Sequence, residues 1–193
     1  MPPKFKFTRE EIIQAALDIA RTEGISTITA RSLGAKLGSS PKPIFSIFQN
    51  MEEVQTEVLK AAKALYAEYV QKGLAEVPAF KGVGTYYILF AIKEPKLFQL
   101  LFMNEQAALP DLDHVLPVID DNYDKILASI TDGYGIAGND AKKLYRHLWI
   151  YSHGIATLCA TKMCSFTGEE IGDMMTEIFI SLKQKITEEQ QHD

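Results

Sequence analysis

Residues 27–50 read TITARSLGAKLGSSPKPIFSIFQN. Leu33 and Leu37 are four positions apart, which places both on one face of a short helix. Thr29 is suited to cap that helix, and Gly38 follows where a residue with a positive φ would end it. Ser40 is suited to cap a second helix. The stretch therefore predicts two short helices joined by a tight turn. This is the outline of a helix-turn-helix, in which the second helix enters the major groove of DNA.

Two prolines lie at the start of the second helix, which we predict over residues 40–47. Pro41 suits the first helical position, because the N–H that proline lacks would have no partner there. Pro43 disfavours the helical conformation at Lys42, the residue before it. We therefore expect this helix to start one or two residues late.

Helices on both sides complete an N-terminal domain. Each begins with a capping box, in which a polar side chain and a glutamate three residues later satisfy backbone N–H groups reciprocally. The two boxes are Thr8 with Glu11 and Asn50 with Glu53. The first predicts a helix over residues 9–22 that Gly24 ends, and the second predicts a helix over about 52–74 that links this domain to the body.

The rest of the chain also has helical apolar spacing, divided by prolines and glycines. It predicts longer helices over residues 81–93, 95–103, 112–132, 139–162 and 167–190. No alternating strand pattern and no internal repeat occur. We predict an all-α protein of about nine helices, with a three-helix helix-turn-helix domain at 1–50 and a C-terminal helical bundle at 51–193.

The net charge of −5 is unevenly distributed along the 193 residues. Residues 1–50 carry seven basic and four acidic side chains, a net charge of +3. The remaining 13 basic and 21 acidic side chains give −8. A basic N-terminal domain on an acidic body directs one positive face toward phosphates.

Composition narrows the class of protein further. A hydrophobic content of 47% indicates a folded globular chain. No run reaches the roughly 18 apolar residues of a membrane span, and the N-terminus lacks the apolar core of a secretory signal. We therefore expect a cytoplasmic protein with no membrane partner. Cys159 and Cys164 lack the second ligand pair of a zinc site, so we expect reduced thiols and neither a metal nor a cofactor.

Residues 8–54 resemble the DNA-binding domain of TetR/AcrR-type transcriptional regulators. The similar positions are TREEII from Thr8, AAL from Ala15, EG from Glu23, TIT from Thr27, LG from Leu33 and from Leu37, Ser40, IF from Ile44, Phe48, and NMEEV from Asn50. In the body, FAIKEPKLF at 90–98 and WIYSHGIATL at 149–158 resemble a TetR-type C-terminal domain with a Trp-x-x-x-His-Gly signature. The resemblance implies an Ω-shaped homodimer with a helix-turn-helix and an effector pocket in each subunit.

Two departures from the family pattern affect DNA binding. Phe45 stands where the family usually has a tyrosine whose hydroxyl reaches a phosphate, and Met51 replaces a usual lysine. Each lost phosphate contact weakens binding across all sequences and flattens its salt dependence. We therefore expect weaker or more selective binding to an operator.

The candidate DNA-binding residues lie in the second helix of the motif, at the start of the first, and on the N-terminal arm. They are Lys6, Thr29, Arg31, Ser40, Lys42, Pro43, Phe45 and Ser46. Side chains of the second helix reach base edges or flanking phosphates, Thr29 and Arg31 reach phosphates, and Lys6, with Lys4, reaches the minor groove. The alternatives are a solvated tail for the two arm lysines and a core position for Phe45, as for Ile44 and Phe48.

Trp149 and His153 are four residues apart and share a helix face. The hypothesis is that they line a largely apolar effector cavity with other aromatic side chains and a methionine. The full set is Phe90, Phe98, Phe102, Met103, Tyr123, Trp149 and His153. The alternative is plain core, with His153 hydrogen-bonded to a carbonyl.

The last two helices carry wide apolar stripes that predict a four-helix bundle between two subunits. The residues are Leu144, Leu148, Ile155, Leu158, Ile171, Met175, Ile178 and Leu182. The alternative is packing within one chain.

The leading hypothesis is a ligand-responsive regulator, a repressor that binds a pseudo-palindromic DNA operator as a homodimer and leaves it when a small molecule fills the body. An all-α enzyme is disfavoured because no nucleophilic triad, phosphate loop or paired carboxylates are recognisable, and His114, His147, His153 and His192 make no site. A further alternative is a protein-interaction adaptor with weakened DNA binding, for which Phe45 and Met51 argue.

Overall fold

The computed structural model describes residues 6–105, 111 and 114–190. This part of the chain forms nine α-helices and two 3₁₀ helices, Ile25–Thr27 and Ile44–Ser46, and contains no strand. The α-helices are α1 (Arg9–Glu23), α2 (Ala30–Lys36), α3 (Met51–Leu74), α4 (Ala79–Lys93), α5 (Pro95–Phe102), α6 (Val115–Ile119), α7 (Tyr123–Tyr134), α8 (Gly138–Ala160) and α9 (Gly168–Gln190). The predicted all-α class is confirmed. Over the same residues, no helix has the length and apolarity needed to cross a membrane.

The chain divides by packing into two compact units. Unit 1 consists of the described residues of Met1–Tyr66 and Glu94–Asn104, and unit 2 of those of Ala67–Lys93 and Glu105–Asp193. Unit 1 therefore holds the helix-turn-helix, the first part of α3 and all of α5. The functional boundary at residue 50 stays a prediction.

The helix α5 belongs to unit 1 because it packs against α1. Its Leu97 and Phe98 are fully buried, and Glu94, which precedes it, is 6% exposed. Arg21 of α1 donates two hydrogen bonds to the Glu94 carboxylate, from Nε to Oε2 at 2.7 Å and from Nη2 to Oε1. A carboxylate this buried needs such a partner, so the ion pair holds the start of α5 on α1.

Arg9 connects the start of α1 to the start of α3. Its Nη2 lies 2.9 Å from Oε1 of Glu53, and its guanidinium lies 4.3 Å from the centroid of the Phe48 ring. Glu53 also accepts the N–H of Gln49 at 2.7 Å. This backbone hydrogen bond and the Arg9 contact hold the pKa of the Glu53 carboxyl below its ordinary value. The ion pair and the cation–π contact together hold the start of α1 against Phe48 and the start of α3.

The two predicted capping boxes agree with the structure, with one difference. The N–H of Glu11 donates to Thr8 Oγ1 at 3.1 Å, and the N–H of Thr8 donates to Glu11 Oε2 at 2.8 Å. Asn50 Oδ1 accepts the N–H of Glu53 at 2.8 Å, as predicted. The Glu53 carboxylate, however, accepts the N–H of Gln49, where the capping box predicts that of Asn50.

In unit 2, α4 packs most extensively against α8 and also against α7, and α9 packs against α8. The end of α3 and the start of α4 meet through two glycines. A Cβ at Gly82 would lie 2.2 Å from the carbonyl oxygen of Gly73, and a Cβ at Gly73 would lie 2.7 Å from Cα of Val83. Glycine at both positions therefore permits the close approach of these two helices.

The single helix predicted over residues 112–132 is wrong. Residues 112 and 113 lie outside the described residues, and residues 114–132 contain two helices, α6 and α7. Asp120 separates them in an extended conformation with ψ of 110°. Its Oδ1 accepts the backbone N–H of Asn122 at 2.8 Å, and such a local side-chain bond competes with helix continuation.

Candidate nucleic-acid interface and effector site

The first helix of the motif is α2, and it begins as predicted. Thr29 caps it, because Thr29 Oγ1 accepts the N–H of Ser32 at 3.1 Å and Ser32 Oγ accepts the N–H of Thr29 at 2.9 Å. Gly38 follows with φ of +60°, the positive value expected from the sequence. The turn comes so close to α2 that a Cβ at Gly34 would lie 3.0 Å from the carbonyl oxygen of Ser39. The glycine thereby allows the sharp return of the chain.

The α-helix predicted over 40–47 is wrong, because that stretch contains only the 3₁₀ helix Ile44–Ser46. Its N–H groups bond three residues back, Ile44 to the Pro41 carbonyl at 3.0 Å and Ser46 to the Pro43 carbonyl at 3.3 Å. Ser40 is therefore not the cap residue, since that position is held by Pro43. Pro43 disfavours the helical conformation at Lys42, which opposes an α-helix that begins at residue 40 or 41.

Residues 40–48, here called the recognition segment, include both buried and exposed side chains. Ile44 and Phe48 are buried, which matches the core alternative for these two. The Phe45 side chain is 48% exposed, so the core alternative does not hold for it. Lys42 is exposed as well. The segment thus anchors two apolar side chains inside unit 1 and leaves Ser40, Lys42, Phe45 and Ser46 exposed.

The predicted DNA-binding side chains lie mostly at the surface of unit 1. Ser40, Lys42, Ser46, Thr29, Arg31 and Lys6 are exposed, and Pro43 is half-buried. Lys6 Nζ donates to Ser39 Oγ at 3.2 Å, which places this lysine beside the turn of the motif. Lys4 lies outside the described residues. The Thr29 hydroxyl is engaged by the Ser32 N–H, so its contribution to α2 is a cap.

In unit 2, two predicted side chains form a cluster with a third that was not predicted. Trp149 stacks on His153 with ring centroids 5.1 Å apart, as their spacing on α8 predicts. His153 Nδ1 lies 2.8 Å from the hydroxyl of Tyr87, a residue of α4 that sequence reasoning missed. The sequence does not distinguish Tyr87 from the other aromatic residues of α4, because nothing in a single sequence indicates which helix faces His153.

The direction of the hydrogen bond between Tyr87 and His153 depends on which ring nitrogen of the histidine carries the proton. The Tyr87 hydroxyl accepts a hydrogen bond from Trp149, whose indole N–H can only donate. When Tyr87 donates its own proton to His153 Nδ1, the neutral imidazole carries its proton on Nε2. Burial lowers the pKa of His153 and raises that of Tyr87, so both stay neutral. The partner of Nδ1 is a hydroxyl, and not the carbonyl of the core alternative.

The other predicted effector residues are divided between the two units. In unit 2, Phe90 packs edge-on against Tyr69 at 5.2 Å, and Tyr123 stacks on Tyr145 at 5.7 Å, between ring centroids. In unit 1, Phe102 lies 5.2 Å from Phe98 and 4.9 Å from Tyr66. Phe90 and Phe98 are fully buried, whereas Met103 is exposed. A ligand would therefore reach those two phenylalanines only after their neighbours had moved.

One turn after His153, Thr157 adds a polar group to the same face of α8. Its Oγ1 is buried and has no hydrogen-bond partner among the described residues. A buried hydroxyl without a partner costs free energy unless another molecule supplies one. Trp149, His153 and Thr157 are spaced four apart and are all half-buried.

The predicted dimer residues differ in how much surface they retain. Leu144, Leu148, Ile155 and Ile171 are buried within the single chain, which corresponds to the alternative of packing within one chain. Leu158, Met175, Ile178 and Leu182 are half-exposed. Only these four retain surface that a second subunit could cover.

Metal chemistry finds no support in the described part of the chain. No group of three histidine, cysteine or carboxylate side chains there is placed to hold an ion. Cys159 and Cys164 are free thiols, and burial raises the pKa of Cys159. A thiol with a raised pKa is a weak nucleophile at neutral pH.

A helix-turn-helix with an outward recognition segment, joined to a second all-helical unit, defines a regulator of the helix-turn-helix class. Residues 80–179 match the family described as Tetracyclin repressor-like, C-terminal domain. Because this match covers more than half of the chain, the protein belongs to the TetR family of transcriptional regulators.

One solved structure shows the same fold over nearly the whole chain. It is that of the fatty acid degradation regulator FadR from Bacillus halodurans, with a TM-score of 0.59 and 14% sequence identity. The alignment covers 92% of this chain and 96% of that chain. No curated protein matches the sequence.

Proposed function

We propose that this protein is a ligand-responsive repressor that binds a pseudo-palindromic operator as a homodimer and releases it when a small molecule binds in unit 2. The observation that carries the proposal is the recognition segment. Ile44 and Phe48 fix it in the core of unit 1, while Lys42 and Phe45 face solvent. Buried anchors with outward polar and apolar groups suit a surface that enters a groove of DNA.

Gel-shift competition tests DNA binding. The whole protein is titrated onto the DNA upstream of its own gene and onto random DNA of equal length, at several salt concentrations. We expect tighter binding to the upstream DNA and an affinity that falls with salt, because lysine and arginine contacts release counterions. Equal affinity for both DNAs at every salt concentration would reject a specific operator.

Lys42→Ala separates the regulator from an interaction adaptor. Lys42 is exposed in the recognition segment, so its loss should abolish or strongly weaken operator binding. Lys63→Ala is the matched control, since Lys63 is an exposed lysine of α3 outside that segment. Unchanged DNA binding by Lys42→Ala would support the adaptor.

The effector that we propose is largely apolar and carries one or two hydrogen-bonding groups. Trp149 and His153 offer ring faces to such a ligand. His153 Nε2–H is a donor when Nδ1 accepts the Tyr87 hydroxyl proton. The Thr157 hydroxyl lacks a hydrogen-bond partner among the described residues. Ligand pockets combine such apolar walls with a few placed polar groups.

Two continuous stretches of the chain connect unit 2 to unit 1 and could transmit the effect of a ligand. Helix α3 continues from one unit into the other, and Glu94, held by Arg21 on α1, directly follows the end of α4. We expect α3 to act as the lever that changes the spacing of the two DNA-binding domains. The coupling can be no larger than the difference in the effector's affinity for the two conformations.

A thermal-shift screen tests the effector site. The panel contains aromatic and lipophilic compounds, and it includes fatty acids because the similar FadR structure is that of a fatty acid degradation regulator. A binding compound should raise the melting temperature of the wild type and raise it less in Trp149→Ala and His153→Ala. His147→Ala, an exposed histidine of the same helix, is the control. A compound that raises the melting temperature of Trp149→Ala and His153→Ala as much as that of the wild type would place the pocket elsewhere.

A further inference from the structure

The recognition segment carries an exposed apolar ring. The Phe45 side chain is 48% exposed, whereas its neighbours in the core, Ile44 and Phe48, are buried. Phenylalanine has no hydrogen-bond donor or acceptor, so this ring cannot bind the polar edge of a base. An exposed aromatic ring on a binding surface gains free energy only by covering another apolar group.

The surroundings of the ring indicate which surface it meets. Ser40, Lys42 and Ser46 are exposed in the same segment, and residues 1–50 carry a net charge of +3 against −8 for the rest. Cationic and hydroxyl groups around the ring suit phosphates and base edges, so the charge is complementary to DNA. A phenylalanine within this set would lie against the DNA when the segment enters a groove.

The major groove offers one apolar group on its base edges, the C5-methyl group of thymine. We infer that Phe45 reads thymine by packing its ring against this methyl group in the operator. The inference rests on the proposed DNA-binding function and names the base that the site selects. Because the other bases present only hydrogen-bonding groups or a bare ring edge there, the contact favours thymine over cytosine at that position.

The test begins with DNA selected by the protein itself. The whole protein is used to select tight-binding duplexes from a random pool, and the selected duplex is resynthesised with uracil in place of thymine, one position at a time and at all positions. Uracil lacks only the methyl group. Binding should weaken by about fourfold for each contacted methyl lost, at the usual value for burial of one such group.

Two protein variants locate the contact. Phe45→Ala should bind the thymine and uracil duplexes equally, because the ring that senses the methyl group is gone. Leu59→Ala is the matched control, since Leu59 is an apolar residue of unit 1 with 36% exposure that lies outside the recognition segment. It should keep the wild-type preference for thymine. Thermal unfolding verifies that both variants fold, as expected for exposed positions.

Each result supports or overturns the inference. Equal wild-type affinity for the selected thymine and uracil duplexes overturns it while leaving specific DNA binding intact, and a discrimination that survives Phe45→Ala does the same. Equal weakening by Phe45→Ala on both duplexes would mean that the ring packs on the sugar-phosphate backbone. Failure to select any duplex over random DNA overturns the proposed function together with the inference.

Discussion

His153 shows how one side chain ties the packing of two helices to pH. Its Nδ1 accepts the Tyr87 hydroxyl, whose oxygen already accepts the Trp149 N–H. A second proton, on Nδ1, would charge the imidazole ring and remove the acceptor of the Tyr87 hydroxyl proton. Burial adds to this effect, and the pKa of His153 in the folded protein is lowered.

Stability should therefore fall as pH decreases through the titration of His153. The pKa of this histidine is about 6.5 in the unfolded chain and lower in the folded protein. Between these values the unfolded chain binds the extra proton, so the free energy of unfolding decreases; above them this loss is absent. Urea unfolding between pH 7.5 and 5.0 measures it, at pH values above the range where carboxylates titrate. His153→Gln should flatten the dependence, and an unchanged slope in this variant would contradict the assignment.

Gly82 is a second residue whose replacement should have a large effect. A Cβ there would lie 2.2 Å from the backbone oxygen of Gly73, and backbone cannot move aside as a flexible side chain can. Gly82→Ala should destabilise the protein by about 3 kcal/mol, as other overpacked sites do. Gly172→Ala is the control, since within the described residues no atom lies within 4 Å of its added Cβ. That change should be neutral or stabilise α9 by about 0.5–1 kcal/mol, measured by urea unfolding.

At the scale of elements, local signals predicted helix starts well. The caps at Thr8, Thr29 and Asn50 are present because each depends on side chains within four residues. Two elements differed because a competing local bond decided them. Asp120 interrupts the predicted helix over 112–132, and Pro43 limits the recognition segment to a 3₁₀ turn. Tyr87 and the Arg21–Glu94 pair were missed because they join residues more than 60 positions apart.

The recognition segment offers a direct test of the proline explanation. Pro43→Ala restores an N–H and removes the steric restriction on Lys42, so residues 42–48 should become more α-helical. Backbone chemical shifts and slower amide exchange in this segment would report the change. Pro41→Ala should alter them little, because proline is tolerated at a first helical position. If both variants retain 3₁₀ geometry, the turn is imposed by packing of Ile44 and Phe48.

The attachment of α5 to α1 depends on the Arg21–Glu94 pair. Arg21→Ala leaves a carboxylate that is 6% exposed without this partner, so stability should fall. Because the Arg21 side chain is 41% exposed, solvent screens part of the effect and a loss of about 1–2 kcal/mol is expected. Lys60→Ala, which removes an exposed pair with Glu57, should cost under about 0.5 kcal/mol. Equal effects of the two variants in urea unfolding would contradict a structural role for the pair.

At the scale of the whole molecule, the arrangement of subunits decides whether two recognition segments can engage one operator. The predicted interface residues fall into a buried set, with Leu144 and Leu148, and a half-exposed set, with Leu158 and Leu182. Only the second set can contribute new burial between subunits. Obligate dimer interfaces are large and apolar, so a charge placed within one should separate the subunits.

We therefore expect a dimer mass in light scattering at micromolar protein, and a monomer mass for Leu158→Glu combined with Leu182→Glu. Half-exposed positions accept a charge without loss of the fold, so the helical circular dichroism of the double variant should match the wild type. Leu148→Glu should instead unfold the chain, because it places a charge in the core of unit 2. Val118→Glu, at an exposed site of α6, should stay dimeric. A monomeric wild type would remove the geometric basis for a palindromic operator, whereas a dimeric double variant would move the interface away from α8 and α9.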